Sequence, residues 1–112
     1  MRVCFPVQQD EGIESKVYNH FGSAPLFVVV DTETNVAGMI KNKDQHHAHG
    51  ACNPIQALDN QKIDAVVVGG IGAGALGKLN QSGIKVYRAQ LQTIKENIAL
   101  FASESLAEFT LQ

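Results

Sequence analysis

Three of the four histidines and one of the two cysteines fall within seven residues, His46-His47-Ala48-His49-Gly50-Ala51-Cys52. Imidazole nitrogen and thiolate sulfur suit zinc, copper, iron and iron–sulfur units, whereas hard cations prefer carboxylate oxygen. Asn53 and Pro54 follow at once. The first is a good N-cap, and the second fits the opening position of a helix, where its missing N–H would be unpaired anyway. Cys52 is therefore expected beside the positive end of a helix dipole, which lowers a thiol pKa and favours the metal-binding thiolate. Gly50 and Ala51 leave room for a bulky group. The spacing matches no paired C-x-x-C zinc pattern, and a polar loop whose histidines meet only water is the competing reading. In an extended segment His47 and His49 converge while His46 points away, so two or three ligands are expected rather than four.

A second candidate is the run Gly69-Gly70-Ile71-Gly72-Ala73-Gly74. Gly72-x-Gly74-x-x-Gly77 has the spacing of a dinucleotide fingerprint and lies between an expected strand and an expected helix. It follows three strands instead of opening the first strand–helix–strand unit. The next strand ends in Tyr87-Arg88, without an acid to hold a ribose. Two other readings stand beside it: glycines that allow close helix–sheet packing, and a backbone cradle for a different anion. The alternative function attached to this loop is a nucleotide- or dinucleotide-binding small-molecule enzyme using Gly70–Gly77. A hydrolase built on Cys52 and a histidine lacks an evident third orienting group. Two-metal nuclease chemistry needs clustered carboxylates, and the first strand has none. His20, beside Phe21 and Gly22, reads equally as a ligand or as a turn residue bonded to a backbone carbonyl.

The elements that must position these residues belong to one expected domain, residues 1–112. Hydrophobic residues make up 45% and charged residues 18%, an ordinary globular balance. The net charge of −2 and the lack of a basic run argue against a nucleic-acid partner. No apolar stretch is long enough to span a bilayer and no signal peptide is evident, so a cytoplasmic protein without a membrane partner is expected. Cys4, set among Val3, Phe5 and Val7, reads as a buried structural thiol.

Apolar runs and turn residues predict strands over Arg2–Val7, Leu26–Asp31, Val36–Lys43, Ile63–Val68 and Ile84–Arg88. Pro6 should fray the first strand's pairing near its end. The unbroken run of the second predicts cover on both faces, and Lys41, Asn42 and Lys43 suit an edge strand. Helices are expected over Pro54–Asn60, from the glycine loop to a stop at Gly83, and from a capping box at Thr93-Ile94-Lys95-Glu96. Leu106, Phe109 and Leu111 are expected to fold back on the body. The resulting class is α/β, a five-stranded mixed sheet flanked by helices, with hairpins in the first half and parallel crossovers in the second.

His20-Phe21-Gly22 ahead of a strand, the His46-to-Cys52 loop, and Val68-Gly-Gly-Ile-Gly-Ala-Gly74 followed by Gly83-Ile-Lys-Val-Tyr87 together resemble the dinitrogenase iron–molybdenum cofactor biosynthesis family. That family includes NifX-like proteins, the C-terminal part of NifB, and small stand-alone relatives. The likeness runs from Arg2 to about Phe101. It implies a ribonuclease H-like topology and a non-enzymatic role in binding or carrying an iron–sulfur or molybdenum-containing cluster, with an unidentified donor or acceptor protein. The radical-generating portion of NifB has no counterpart, because there is no cysteine triplet. By position, the resemblance assigns His20, Gly70, Gly72 and Gly74 to cluster binding, and His46, His47, His49 and Cys52 to metal ligation. Such clusters are usually anionic, which suits backbone donors, a helix N-terminus and a few exchangeable soft ligands.

Overall fold

β-branched and aromatic residues place Arg2–Val7, Leu26–Asp31, Ala37–Lys41, Ala65–Val68 and Lys85–Arg88 in strands β1 to β5. The structure, a computed structural model, describes residues 1–42, 55, 58 and 61–109. The strands form one sheet in the order β3-β2-β1-β4-β5. β2 runs antiparallel to β1 and β3 antiparallel to β2, while β4 is parallel to β1 and β5 to β4. The hairpins and the parallel crossovers thus fall in the expected halves.

Both faces of the sheet are apolar, which explains the unbroken run of β2. Phe27 and Val29 turn to one face with Cys4, Ile40, Val66, Val68 and Val86. Val28 and Val30 turn to the other with Val3, Phe5, Val7, Ala65 and Val67. Helix α1 (Ala73–Gln81) covers the first face through Leu76 and Leu79. Helix α2 (Ile94–Ala102) covers the second through Ile94, with Ile98 and Phe101 on the same stripe. Of the helix expected over 54–60, only Ile55 and Leu58 are described; both pack on the first face and Leu58 is fully buried.

Element ends follow local hydrogen bonding. Thr93 and Glu96 form the expected capping box at the start of α2. Gly83 stops α1 at φ +82°, the left-handed region that favours glycine, with its N–H on the Asn80 carbonyl at 3.0 Å. Three strands are shorter than expected. β3 ends at Lys41 rather than Lys43: Asn42 N–H still donates to the Pro25 carbonyl at 3.0 Å, but Pro25 has no N–H to return, and the Asn42 side-chain amide turns onto the carbonyls of Ala24 (2.7 Å) and Gly22 (3.4 Å). β4 begins at Ala65 because Asp64 spends its carboxylate on the Arg2 N–H at 2.8 Å. β5 begins at Lys85 because the Ile84 N–H closes the end of α1 on the Leu79 carbonyl.

The segment after α2 folds back as expected. Leu106 is buried on the second face, and Phe109 packs on the first. Arg88 N–H donates to the Ala107 carbonyl and Phe109 N–H to the Val86 carbonyl, both at 2.8 Å, so this segment lies along the outer edge of β5. Leu111 is outside the described residues. No described helix is long and apolar enough to cross a membrane.

Cys4 is fully buried, as its neighbours foretold. Burial pushes its thiol far above the ordinary value, against the opposing pull of the Arg2 charge. The native protein should therefore leave Cys4 unmodified by a thiol reagent at neutral pH, while the urea-unfolded chain reacts there. Peptide mass spectrometry reads the difference. The unfolded thiol ionises near 9.0 and the native one does not. Stability should consequently fall as pH rises past that value, with a slope that a Cys4→Ala variant lacks.

Candidate functional site

Along β1 the backbone groups of Arg2, Cys4 and Pro6 face β4 in alternation; Arg2 N–H and Arg2 C=O both bond Asp64 on that side. Pro6 has no N–H to give. The β1–β4 ladder accordingly holds only Val3–Ala65 and Cys4–Val66, whereas the β1–β2 ladder continues to Val7. The expected fraying is thus confined to one side of β1. It falls where the chain leaves β1 toward β2 and leaves β4 toward β5. Open α/β sheets form their binding crevices at such a point, outside the carboxyl ends of the strands.

The backbone of Tyr18 fills the gap. Its N–H donates to the Pro6 carbonyl at 2.7 Å, and its carbonyl accepts from Gly69 N–H at 3.4 Å. Phe21 N–H donates to the Gly70 carbonyl at 3.1 Å, and its buried ring lies 5.1 Å from that of Phe27. Asn19 and His20, both exposed, are held between these two anchors. His20 is therefore an exposed residue on a backbone fixed from both sides, at the carboxyl end of β4. Gly69 and Gly70 are needed for this contact. A Cβ on Gly69 would lie 2.9 Å from the Asn19 Cα, and one on Gly70 would lie 2.9 Å from the Asn19 carbonyl oxygen.

Gly72 and Gly74 differ: a Cβ on either would meet nothing within 4 Å. Gly72 caps α1 without any side-chain hydrogen bond, and the first turn carries no acidic residue. The first intrahelical bond joins Leu76 N–H to the Gly72 carbonyl at 3.0 Å. The N–H groups of Ala73, Gly74 and Ala75 therefore have no acceptor within the helix. Among the described residues nothing caps these donors, and free N–H groups with the helix dipole behind them favour an anion. Arg88, the last residue of β5, adds a guanidinium on the α1 side of the sheet, 5.0 Å from the Phe109 ring centre. As read from the sequence, no carboxylate ends β5.

The structure thus brings the backbone on either side of His20, at Asn19 and Phe21, against Gly70 and sets Gly72 and Gly74 at the start of α1. His46, His47, His49 and Cys52 lie outside the described residues. The nearest described residues on either side are Asn42 and Ile55. Asn42 is bonded to the turn that follows His20, by its side chain and by its N–H to the Pro25 carbonyl at 3.0 Å. Ile55 packs on the cluster that contains Phe21 and Leu76. Among the described residues no three His, Cys, Asp or Glu side chains gather as a metal site. Sequence reasoning missed Tyr18, Asn19 and Gly69 as structural partners. The available signals were a proline inside a central strand and one aromatic residue, Phe21, in a polar turn.

The family model for the dinitrogenase iron–molybdenum cofactor matches residues 1–104. An uncharacterised protein of Methanocaldococcus jannaschii is 30% identical over 116 aligned residues, covering 97% of this chain and 92% of that one. Among solved structures the chain is similar to a candidate NifB protein from Thermotoga, at 29% identity and a TM-score of 0.80, covering 99% and 97% of the two chains. It shares its fold with the apo form of the orange protein from Desulfovibrio gigas, at 24% identity and a TM-score of 0.86, covering 97% and 92%.

The two pairs of glycines should separate on mutation. Gly69→Ala and Gly70→Ala force the Asn19 backbone aside and should each cost about 1–3 kcal/mol of stability. Gly74→Ala, in open space within a helix, should be neutral or stabilising by up to about 1 kcal/mol. Urea unfolding measures both, and equal losses at all three positions would contradict the assignment.

Proposed function

The chain belongs to the dinitrogenase iron–molybdenum cofactor family, and on that premise we propose that it binds and carries an anionic iron–sulfur or molybdenum-containing cluster without transforming it. The observation that carries this reading is the Asn19–Phe21 turn held against Gly69 and Gly70, which keeps the exposed His20 at the glycine loop that leads into α1. A cluster is large, anionic and coordinated by soft donors. The amides of Ala73, Gly74 and Ala75 and the Arg88 guanidinium suit its charge, and the His20 imidazole suits its metals. In this reading His46, His47, His49 and Cys52 supply the remaining ligands. Gly70 holds the His20 turn, while Gly72 and Gly74 keep the approach open. Cluster capture and release then need only ligand exchange and a docking donor or acceptor protein, within one cytoplasmic domain that engages neither nucleic acid nor membrane. Strand order β3-β2-β1-β4-β5 with β2 reversed supports a ribonuclease H-like classification of that domain.

Anaerobic reconstitution with iron, sulfide and molybdate, followed by visible absorption and metal analysis, tests the proposal. The parent chain should take up a coloured cluster. Cys52→Ala, His49→Ala and His20→Ala should each lose most of the absorbance while keeping the native far-ultraviolet dichroism. Gly74→Asp should weaken loading about tenfold or more, because it sets a carboxylate where the cargo's charge would sit, while an acid in the first turn favours the helix itself. A parent chain that takes up no cluster sinks the carrier reading. Histidine and cysteine variants that load like the parent sink the ligand assignment alone.

A further inference from the structure

The outer edge of β3 carries a second feature, independent of the cluster reading. On the β2 side of β3, the Val36 carbonyl accepts from Asp31 N–H and Asn42 N–H donates to the Pro25 carbonyl, each at 3.0 Å. Successive residues of an antiparallel ladder alternate between facing the partner strand and facing away. The backbone groups of Val36, Gly38, Ile40 and Asn42 thus face β2, and those of Ala37, Met39 and Lys41 point outward. Among the described residues no strand pairs with them. Edge strands are normally blunted by proline, a bulge or a central charge. β3 has no proline, and its one charge, Lys41, stands at its end. Its surface is apolar, with Met39 44% exposed and Val36, the residue just before it, 64% exposed. The other end of the sheet is covered, because the segment around Ala107–Phe109 lies along β5.

We propose that β3 pairs antiparallel with β3 of a second copy of this chain, about a two-fold axis at Met39. Pairing Ala37 with Lys41, Met39 with Met39, and Lys41 with Ala37 is the register that engages every outward group of Ala37–Lys41 on both copies. The charges agree with it. Each Lys41 stands opposite an alanine, and the two lysines lie at opposite ends of the ladder. On one face Met39 packs on its counterpart, and on the other Gly38 faces Ile40 of the second copy. An unrelated extended peptide could use the same backbone groups, but it would have no reason to match this placement of charge. The covered β5 edge means that association closes at two chains and does not propagate into a filament.

Sedimentation equilibrium at increasing concentration tests the pairing. The natural chain should reach the mass of two 12.1 kDa chains. Met39→Lys sets like charges face to face across the axis and should weaken the dimer by about tenfold or more. Its far-ultraviolet dichroism should not change, since Met39 is half exposed. Met39→Pro removes the central outward donor without touching the β2 ladder and should do the same. Amide exchange at Ala37, Met39 and Lys41 should be slow in the natural chain and fast in Met39→Lys. A single-chain mass at millimolar concentration, or a Met39→Lys dimer as tight as the parent's, overturns the proposal.

Discussion

Pro6 lies in the central strand, where a backbone N–H would ordinarily tie β1 to β4, and it has none to give. Its carbonyl still faces β4 and needs a donor, because an unsatisfied buried carbonyl costs about 1–3 kcal/mol. Tyr18 supplies that donor at 2.7 Å and passes the connection on to Gly69 through its own carbonyl. A missing hydrogen atom thus calls a loop into the sheet and fixes where that loop must sit. The following residues have no choice of place. Phe21 is driven into the core beside Phe27, and His20, one position earlier, is left facing outward.

The glycine loop answers the same constraint. Tyr18 and Asn19 approach β4 so closely that positions 69 and 70 have no room for a Cβ. Two residues later the crowding ends, yet glycine persists at 72 and 74, where nothing within 4 Å demands it. One run of glycines therefore has two physical explanations. The first half is steric and belongs to the fold. Among the described residues, the second half leaves backbone donors uncovered at a helix start, which no packing argument requires and which suits the approach of an anion.

Much of the architecture was legible from local pattern. The apolar run of Leu26–Asp31 announced cover on both faces, Thr93 and Glu96 announced a helix start, and Gly83 announced a stop; each rests on interactions within a few residues. Strand ends were less legible, because they are decided by distant partners. β3 stops where its partner becomes Pro25, which has no N–H to return to Asn42, and Asp64 shortens β4 by turning to Arg2. The candidate site was legible as chemistry but not as geometry. His20 and the glycine loop could be singled out by residue type, yet their meeting depends on a bridge from Pro6 through Tyr18 to Gly69 that spans more than sixty residues of chain. No local pattern encodes such a bridge, although a proline in a central strand implies that something must complete it.

The two cysteines show how position assigns different chemistry to the same atom. Cys4 is enclosed by Phe27, Val66 and other residues of the first face, and burial keeps its thiol protonated far above the ordinary range. A protonated, enclosed sulfur is neither a nucleophile nor a metal ligand. On the carrier proposal, the one thiolate left to reach a cluster is that of Cys52, since the sequence holds no third cysteine. One thiolate alone cannot close a four-sulfur site of the kind that holds a permanent iron–sulfur centre. In that proposal the remaining contacts fall to imidazole, to backbone N–H groups that offset the cluster's charge without ligating its metals, or to a partner protein. Each of these exchanges more readily than a closed thiolate cage, which is the property that a carrier requires and a resident cofactor site avoids.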